Sequence, residues 1–131
     1  MRTFIQNKLW RDKMVSIVER RDNATIQWRQ LNDQEFNQQI RVKLREEAEE
    51  VATAQSRDEL LAELADLYEV IDALSAINNI TKNDIITEQI KKRDERGGFD
   101  ARTFVESSSH PAGSFGEQYC LANPTKYPEI K

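Results

Sequence analysis

A carboxylate stands where a helix pattern asks for a leucine, and that substitution constrains this chain more than any other feature. From about Asp33 to Ala54 no glycine or proline interrupts a run whose apolar row is Phe36, Ile40, Leu44 and Val51. Helical steps of three and four join those positions, and the missing member of the row is Glu47. A charge on an apolar row is costly unless a partner compensates it. Asn32 with Glu35 three residues on forms a capping box, which sets the predicted start of this helix.

The same conflict recurs on the next helix. Ser56 with Glu59 forms a second capping box, and the helix it starts is predicted to run to about Asn79. Leu60, Leu64, Leu67, Ile71 and Leu74 give it a core stripe; beside that stripe the row Glu63, Asp66, Val70, Ala73 and Ile77 is apolar except for its two acids. The clusters are Glu46-Glu47-Ala48-Glu49-Glu50 and Glu63-Leu64-Ala65-Asp66. Within them Glu47 with Glu50, and Glu63 with Asp66, are spaced i, i+3, which places each pair on one helix face. In an antiparallel hairpin all four carboxylates converge, and they repel one another unless something positive sits between them. A divalent cation resolves the conflict, and oxygen-only ligands suit Mg²⁺ or Mn²⁺. The alternative is a solvated acidic face with Lys or Arg partners one turn away, which suits Glu46 and Glu49.

The rest of the chain frames this hairpin. Lys8 to about Arg21 reads as a helix, with Leu9, Val15, Ile17 and Val18 as its apolar positions. Ala24 to Leu31 reads as an extended link. Thr81 with Asp84 caps another helix that continues to about Arg96, where Gly97-Gly98 stops it. Phe99 to Val105 suggests a short extended segment. Ser107 to Lys131 carries all 3 prolines and a serine run, and is expected to be an irregular tail. The expected organisation is one domain over residues 1–106 followed by a tail over 107–131. Its fold class is an all-α bundle built on the antiparallel helix hairpin. At 38% hydrophobic and 32% charged residues, a chain of 131 residues is polar for a monomer, so completion of the bundle by oligomerisation is expected.

Charge and composition narrow the chemistry. A net charge of −4, from 19 basic and 23 acidic side chains, argues against a partner nucleic acid held by a bulk positive field. A single cysteine permits no intrachain disulfide, and no apolar stretch is long enough to span a membrane, so a soluble, cytoplasmic protein is expected. An acidic cage without thiolate or imidazole points to phosphate chemistry rather than to redox or zinc chemistry. The anion then needs positive charge. Candidates are Lys8, Arg11 and Lys13, and Lys91, Lys92, Arg93 and Arg96 ahead of the glycine pair. Basic residues near a helix C-terminus also complement the helix dipole, which is the plainer reading of Lys91 and Lys92.

The order Glu-Glu-x-x-Glu then Glu-x-x-Asp resembles the signature of the all-α nucleotide pyrophosphohydrolases, the MazG-like and phosphoribosyl-ATP pyrophosphohydrolase-like superfamily. Lys8-Leu9-Trp10-Arg11-Asp12-Lys13 and Lys92-Arg93-Asp94-Glu95-Arg96-Gly97-Gly98-Phe99 are similar to its house-cleaning branch. The resemblance covers roughly Lys8 to Phe104. The sequence departs from that branch at Met14-Val15, where Ile-Pro is usual, and at Trp10, where the branch has a small aliphatic residue.

This resemblance implies Mg²⁺-dependent hydrolysis of a nucleoside triphosphate, standard or not, between the α- and β-phosphates. By motif position Glu47, Glu50, Glu63 and Asp66 would ligate the metal. Glu46 would support the metal ligands from behind or help orient the attacking water. Lys8, Arg11, Lys13, Arg93 and Arg96 would bind phosphate. A homodimer or dimer of dimers is expected. Two other readings stay open: phosphoribosyl-ATP as the substrate, and a non-catalytic helical module whose acidic groove binds metal or a basic partner.

Overall fold

All three helix starts read from the sequence are capped, although the box expected of Ser56 and Glu59 closes in one direction only. The computed structural model describes all residues from Met1 to Lys131. It contains five helices and no strand: α1 (Met14–Asp22), α2 (Asp33–Thr53), α3 (Arg57–Ile77), α4 (Lys82–Arg96) and α5 (Phe115–Ala122). At α2 the Asn32 Oδ1 accepts from the Glu35 N–H at 2.8 Å while the Asn32 N–H donates to Glu35 Oε1 at 3.4 Å. At α4 the box of Thr81 and Asp84 closes in both directions, at 3.1 and 2.8 Å. At α3 the Ser56 Oγ accepts from the Glu59 N–H at 3.1 Å, whereas the Glu59 carboxylate takes the N–H of Gln55, at 2.8 Å.

Helix ends follow equally local rules. Asn79 takes φ 57°, and the Ile80 N–H reaches back to Ser75 O at 2.9 Å, closing α3 in a Schellman motif. Gly97 at φ 82° ends α4, in the left-handed region that a residue without Cβ enters freely.

α2 and α3 pack against each other as an antiparallel pair. Residues 54–56 are too short a link for any other arrangement. The far end is tied by Asn78 Nδ2, which donates to Asn37 Oδ1 at 3.1 Å. The core between them is thin: Ile40 and Val70 are the buried apolar residues, and Glu47, at 5% exposure, is as secluded as they are. Large apolar side chains outside that seam stay exposed, Leu61, Tyr68 and Ile90 among them. No helix is long and apolar enough to cross a membrane.

The chain divides into two units, Met1–Lys92 and Arg93–Lys131, with the boundary inside α4. The first holds the hairpin and the N-terminal segment. In the second, Arg93 pairs with Asp100 at 3.2 Å, and a Cβ at Gly98 would meet the Arg93 guanidinium at 3.2 Å, so the guanidinium lies against the glycine backbone.

Three local expectations differ from what forms. The first helix starts at Met14 rather than Lys8, because Lys8 and Arg11 reach across to acids of α2 and α3 instead of continuing a helix of their own. Residues Phe99 to Arg102 form a turn, closed by the Arg102 N–H on Phe99 O at 3.1 Å, with Arg102 at φ 55°, rather than an extended segment. The tail is not wholly irregular, since it contains α5. Ser114 Oγ accepts from the Glu117 N–H at 3.3 Å and caps it, a Ser-x-x-Glu signal masked by the surrounding Pro, Gly and Ser. The ring centroids of Phe115 and Tyr119 lie 6.1 Å apart, and those of Tyr119 and Tyr127 5.7 Å apart, which ties the chain after α5 back onto it.

Candidate active site

Helix spacing and hairpin register together bring the acids into one place. α2 carries Glu46, Glu47 and Glu50, and α3 carries Glu63 and Asp66. Glu47, Glu50 and Glu63 each offer an oxygen, and these oxygens all lie within 4.8 Å of one another. Glu47 is buried, Glu63 half-buried and Glu50 exposed, so the group runs from the helix seam to its surface. Asp66 stands outside this trio. It accepts instead from Arg11 Nη2 at 2.6 Å. Glu46 also faces cations, Lys8 at 3.4 Å and Lys43 at 3.7 Å.

Two oxygens define the electrostatics. Glu47 Oε2 and Glu63 Oε2 are secluded from solvent and have no hydrogen-bond partner. A buried acceptor left unpaired is expensive, and a buried anionic one more so. The other oxygen of Glu47 is held by Lys43 Nζ at 3.3 Å. The Glu47 carboxyl is held above its ordinary value, first by burial, then by the neighbouring Glu50 carboxylate; Lys43 pulls the other way without winning. An all-oxygen donor set with two unsatisfied, partly buried acceptors fits a hard divalent cation such as Mg²⁺ or Mn²⁺. Glu47, Glu50 and Glu63 are the residues whose geometry here suits holding it.

The basic candidates divide. Lys8 and Arg11 reach the acids from 38 and 55 residues away in sequence. Lys13 only precedes α1, exposed and without an ion pair. Arg93 and Arg96 lie in the last turn of α4, in the second unit, where Asp100 takes up Arg93. Trp10, next to Arg11, is half-buried.

Lys43 escaped the sequence reading. It is the cation closest to Glu47, with a side chain only 23% exposed. The signal was present as plain helix spacing, since Lys43 precedes Glu46 by three residues and Glu47 by four. Such pairs are so frequent on helices that spacing alone does not single one out.

Among known proteins, no curated protein and no solved structure matches this chain. A family model, described as phosphoribosyl-ATP pyrophosphohydrolase, matches residues 13–94, and the match contains every acid of the site. Acids at that spacing, on a helical hairpin, in a chain that this model covers for more than half its length, identify a member of the phosphoribosyl-ATP pyrophosphohydrolase family, within the MazG-like superfamily: a nucleotide pyrophosphohydrolase, and so a hydrolase acting on acid anhydrides.

Proposed function

We propose that this enzyme cleaves the anhydride between the α- and β-phosphates of a nucleotide, releasing pyrophosphate and leaving a monophosphate, and that phosphoribosyl-ATP is its substrate. The observation that carries the chemistry is the trio Glu47, Glu50 and Glu63, with two secluded oxygens that lack partners. The family description favours phosphoribosyl-ATP over a generic nucleoside triphosphate and so reverses the order in which the sequence ranked them.

In this reading Glu47, Glu50, Glu63 and Asp66 hold Mg²⁺ or Mn²⁺. Such an ion, when bound, neutralises phosphate oxygens and acidifies a neighbouring water. Glu46, half-buried at the edge of the trio, orients the water for in-line attack on the α-phosphorus. Lys43 balances the charge on Glu46 and Glu47 and fixes which oxygen of Glu47 faces the trio. Lys8, Arg11 and Lys13 supply positive charge to the phosphates, with the Arg11 guanidinium fork suited to bidentate contact. No side chain needs to become a covalent nucleophile.

One observation favours the second reading, a non-standard nucleoside triphosphate. Lys8 and Arg11 lie before residue 13, where the family match begins, yet both pair with acids of the site. A basic segment added to the family's hairpin suits a pocket of altered specificity. Pyrophosphate release measured on phosphoribosyl-ATP and on a panel of standard and modified triphosphates, with Mg²⁺ and with EDTA, separates the two. Turnover of phosphoribosyl-ATP alone supports the first reading; turnover of a triphosphate alone replaces it with the second. No metal-dependent release from any compound would contradict both.

The working unit in this proposal is a homodimer or a dimer of dimers. A groove of about 420 Å³ between α3 and α4 is lined by Tyr68, Ile71, Ile85 and Ile86, with Asp72 and Lys82 at its rim. Apolar walls left open in this way are what a second copy of the hairpin would cover.

A further inference from the structure

The N-terminal segment holds the one pair of non-local cation–carboxylate contacts made to the site's acids. Lys8 meets Glu46 at 3.4 Å and Arg11 meets Asp66 at 2.6 Å. One contact is to α2 and the other to α3, so residues 8–11 lie across the hairpin at the acids. Leu9 and Trp10 between them are half-buried, whereas Met1 to Lys8 are exposed. The fastening is therefore two ion pairs and two apolar side chains. Side chains of Arg11 and Asp66 are 56% and 40% exposed, which makes their pair a weak, exchangeable one.

Asp66 is claimed twice. Its place in the Glu-x-x-Asp spacing puts it beside Glu63 on one helix face, and the secluded, unpartnered oxygens of Glu47 and Glu63 lie in the same group of acids. A carboxylate engaged by a guanidinium at 2.6 Å has that oxygen committed.

We propose that residues 8–13 form a strap latched over the acids, and that Arg11 and a divalent cation compete for Asp66. Arg11 gives up the carboxylate when a cation takes it, and its freed guanidinium turns to the phosphates of the nucleotide. The strap thus couples loading of the acids to exposure of a phosphate-binding fork, and its two latching residues, Lys8 and Arg11, lie outside the family's matched region. Lys43 stays behind as the permanent counter-charge, because it is half-buried and belongs to α2 itself. This inference rests on the proposed cation site.

The test uses the full chain and the metal alone. Of the two tryptophans, Trp28 is removed by Trp28→Phe, which leaves Trp10 as a fluorescent reporter within the strap. Mg²⁺ is expected to shift Trp10 emission to the red and to speed tryptic cleavage after Lys8 and Arg11. Arg11→Gln is expected to show the red-shifted emission without Mg²⁺ and, by electron paramagnetic resonance, to bind Mn²⁺ about two- to fivefold more tightly, the range set by losing an exposed ion pair. Asp66→Asn, which cuts the latch from the other side, should free Trp10 without Mg²⁺ as well. Unchanged emission and cleavage on adding Mg²⁺, with Arg11→Gln binding Mn²⁺ no more tightly than the parent, would overturn the strap. If Mn²⁺ binds and pyrophosphate is released while the strap stays still, this inference alone fails. If Mn²⁺ does not bind the parent chain, the cation site fails and the strap with it.

Discussion

Glu47 is one carboxylate with two conflicting roles, and the conflict is measurable. It sits where the helix pattern wants a leucine, it is 5% exposed, and its Oε2 has no partner. Glu47→Gln keeps the shape and removes the charge. Pyrophosphate release is expected to fall by at least about 100-fold, the upper end of what even a supporting contact to a metal ligand is worth. Circular dichroism should remain helical. The same substitution has a pH signature. Burial and Glu50 raise the folded-state pKa of Glu47, so the folded chain holds that proton more tightly than the unfolded chain does. Its contribution to stability is fully present below the ordinary glutamate pKa and is lost as pH rises through the raised value. In EDTA, Glu47→Gln should therefore melt higher than the parent at pH 7, and the gap should close on acidification. Parallel melting curves across that range would show that Glu47 carries no such penalty. Of the candidate acids, Glu47, Glu63 and Asp66 are legible as charges breaking apolar rows, and Glu50 as the i, i+3 partner of Glu47. Lys43 was not, because a lysine one turn from a glutamate is commonplace until burial marks it out.

At the scale of elements, caps decide the helices and spacing decides their faces. Asn32→Ala removes one half of a reciprocal box at the start of α2 and should cost about 1 kcal/mol in urea unfolding. Because α2 presents Glu46, Glu47 and Glu50, fraying at its distant N-terminus should leave the affinity for Mn²⁺ nearly unchanged. A large loss of affinity would mean that the hairpin transmits disorder along its whole length. The starts and stops of α2, α3 and α4 were readable because a cap is a local hydrogen-bond problem, solved within four residues. The start of α1 and the whole of α5 do not follow from local signals. In the first case the deciding contacts lie tens of residues away; in the second a capping serine is buried among other loop-forming residues.

For the whole molecule the deciding quantity is unburied apolar surface. The first unit buries just Ile40 and Val70 among its apolar residues, while Tyr68, Ile85 and Ile86 remain exposed around the α3–α4 groove. If a second copy covers that face, Ile86→Lys should convert the protein to a monomer by sedimentation and lower its thermal midpoint. In the parent that midpoint should rise with protein concentration. A monomeric parent, or an oligomer indifferent to this substitution, would move the interface elsewhere. With the family established, a purely non-catalytic acidic module no longer describes this chain.

The sequence by itself determined the helical class and the hairpin, and it singled out the four acids of Glu-x-x-Glu and Glu-x-x-Asp as candidates. Periodicity, capping and turn length act over a few residues and leave their mark in the order of the chain. Tertiary structure alone decided how those acids are shared. It grouped Glu47, Glu50 and Glu63, assigned Asp66 to Arg11 and Glu46 to Lys8, and seated Lys43 against Glu47. Charges meet through space, and whether an ion pair forms depends on which surfaces packing brings within a few ångströms, a distance that sequence separation does not encode.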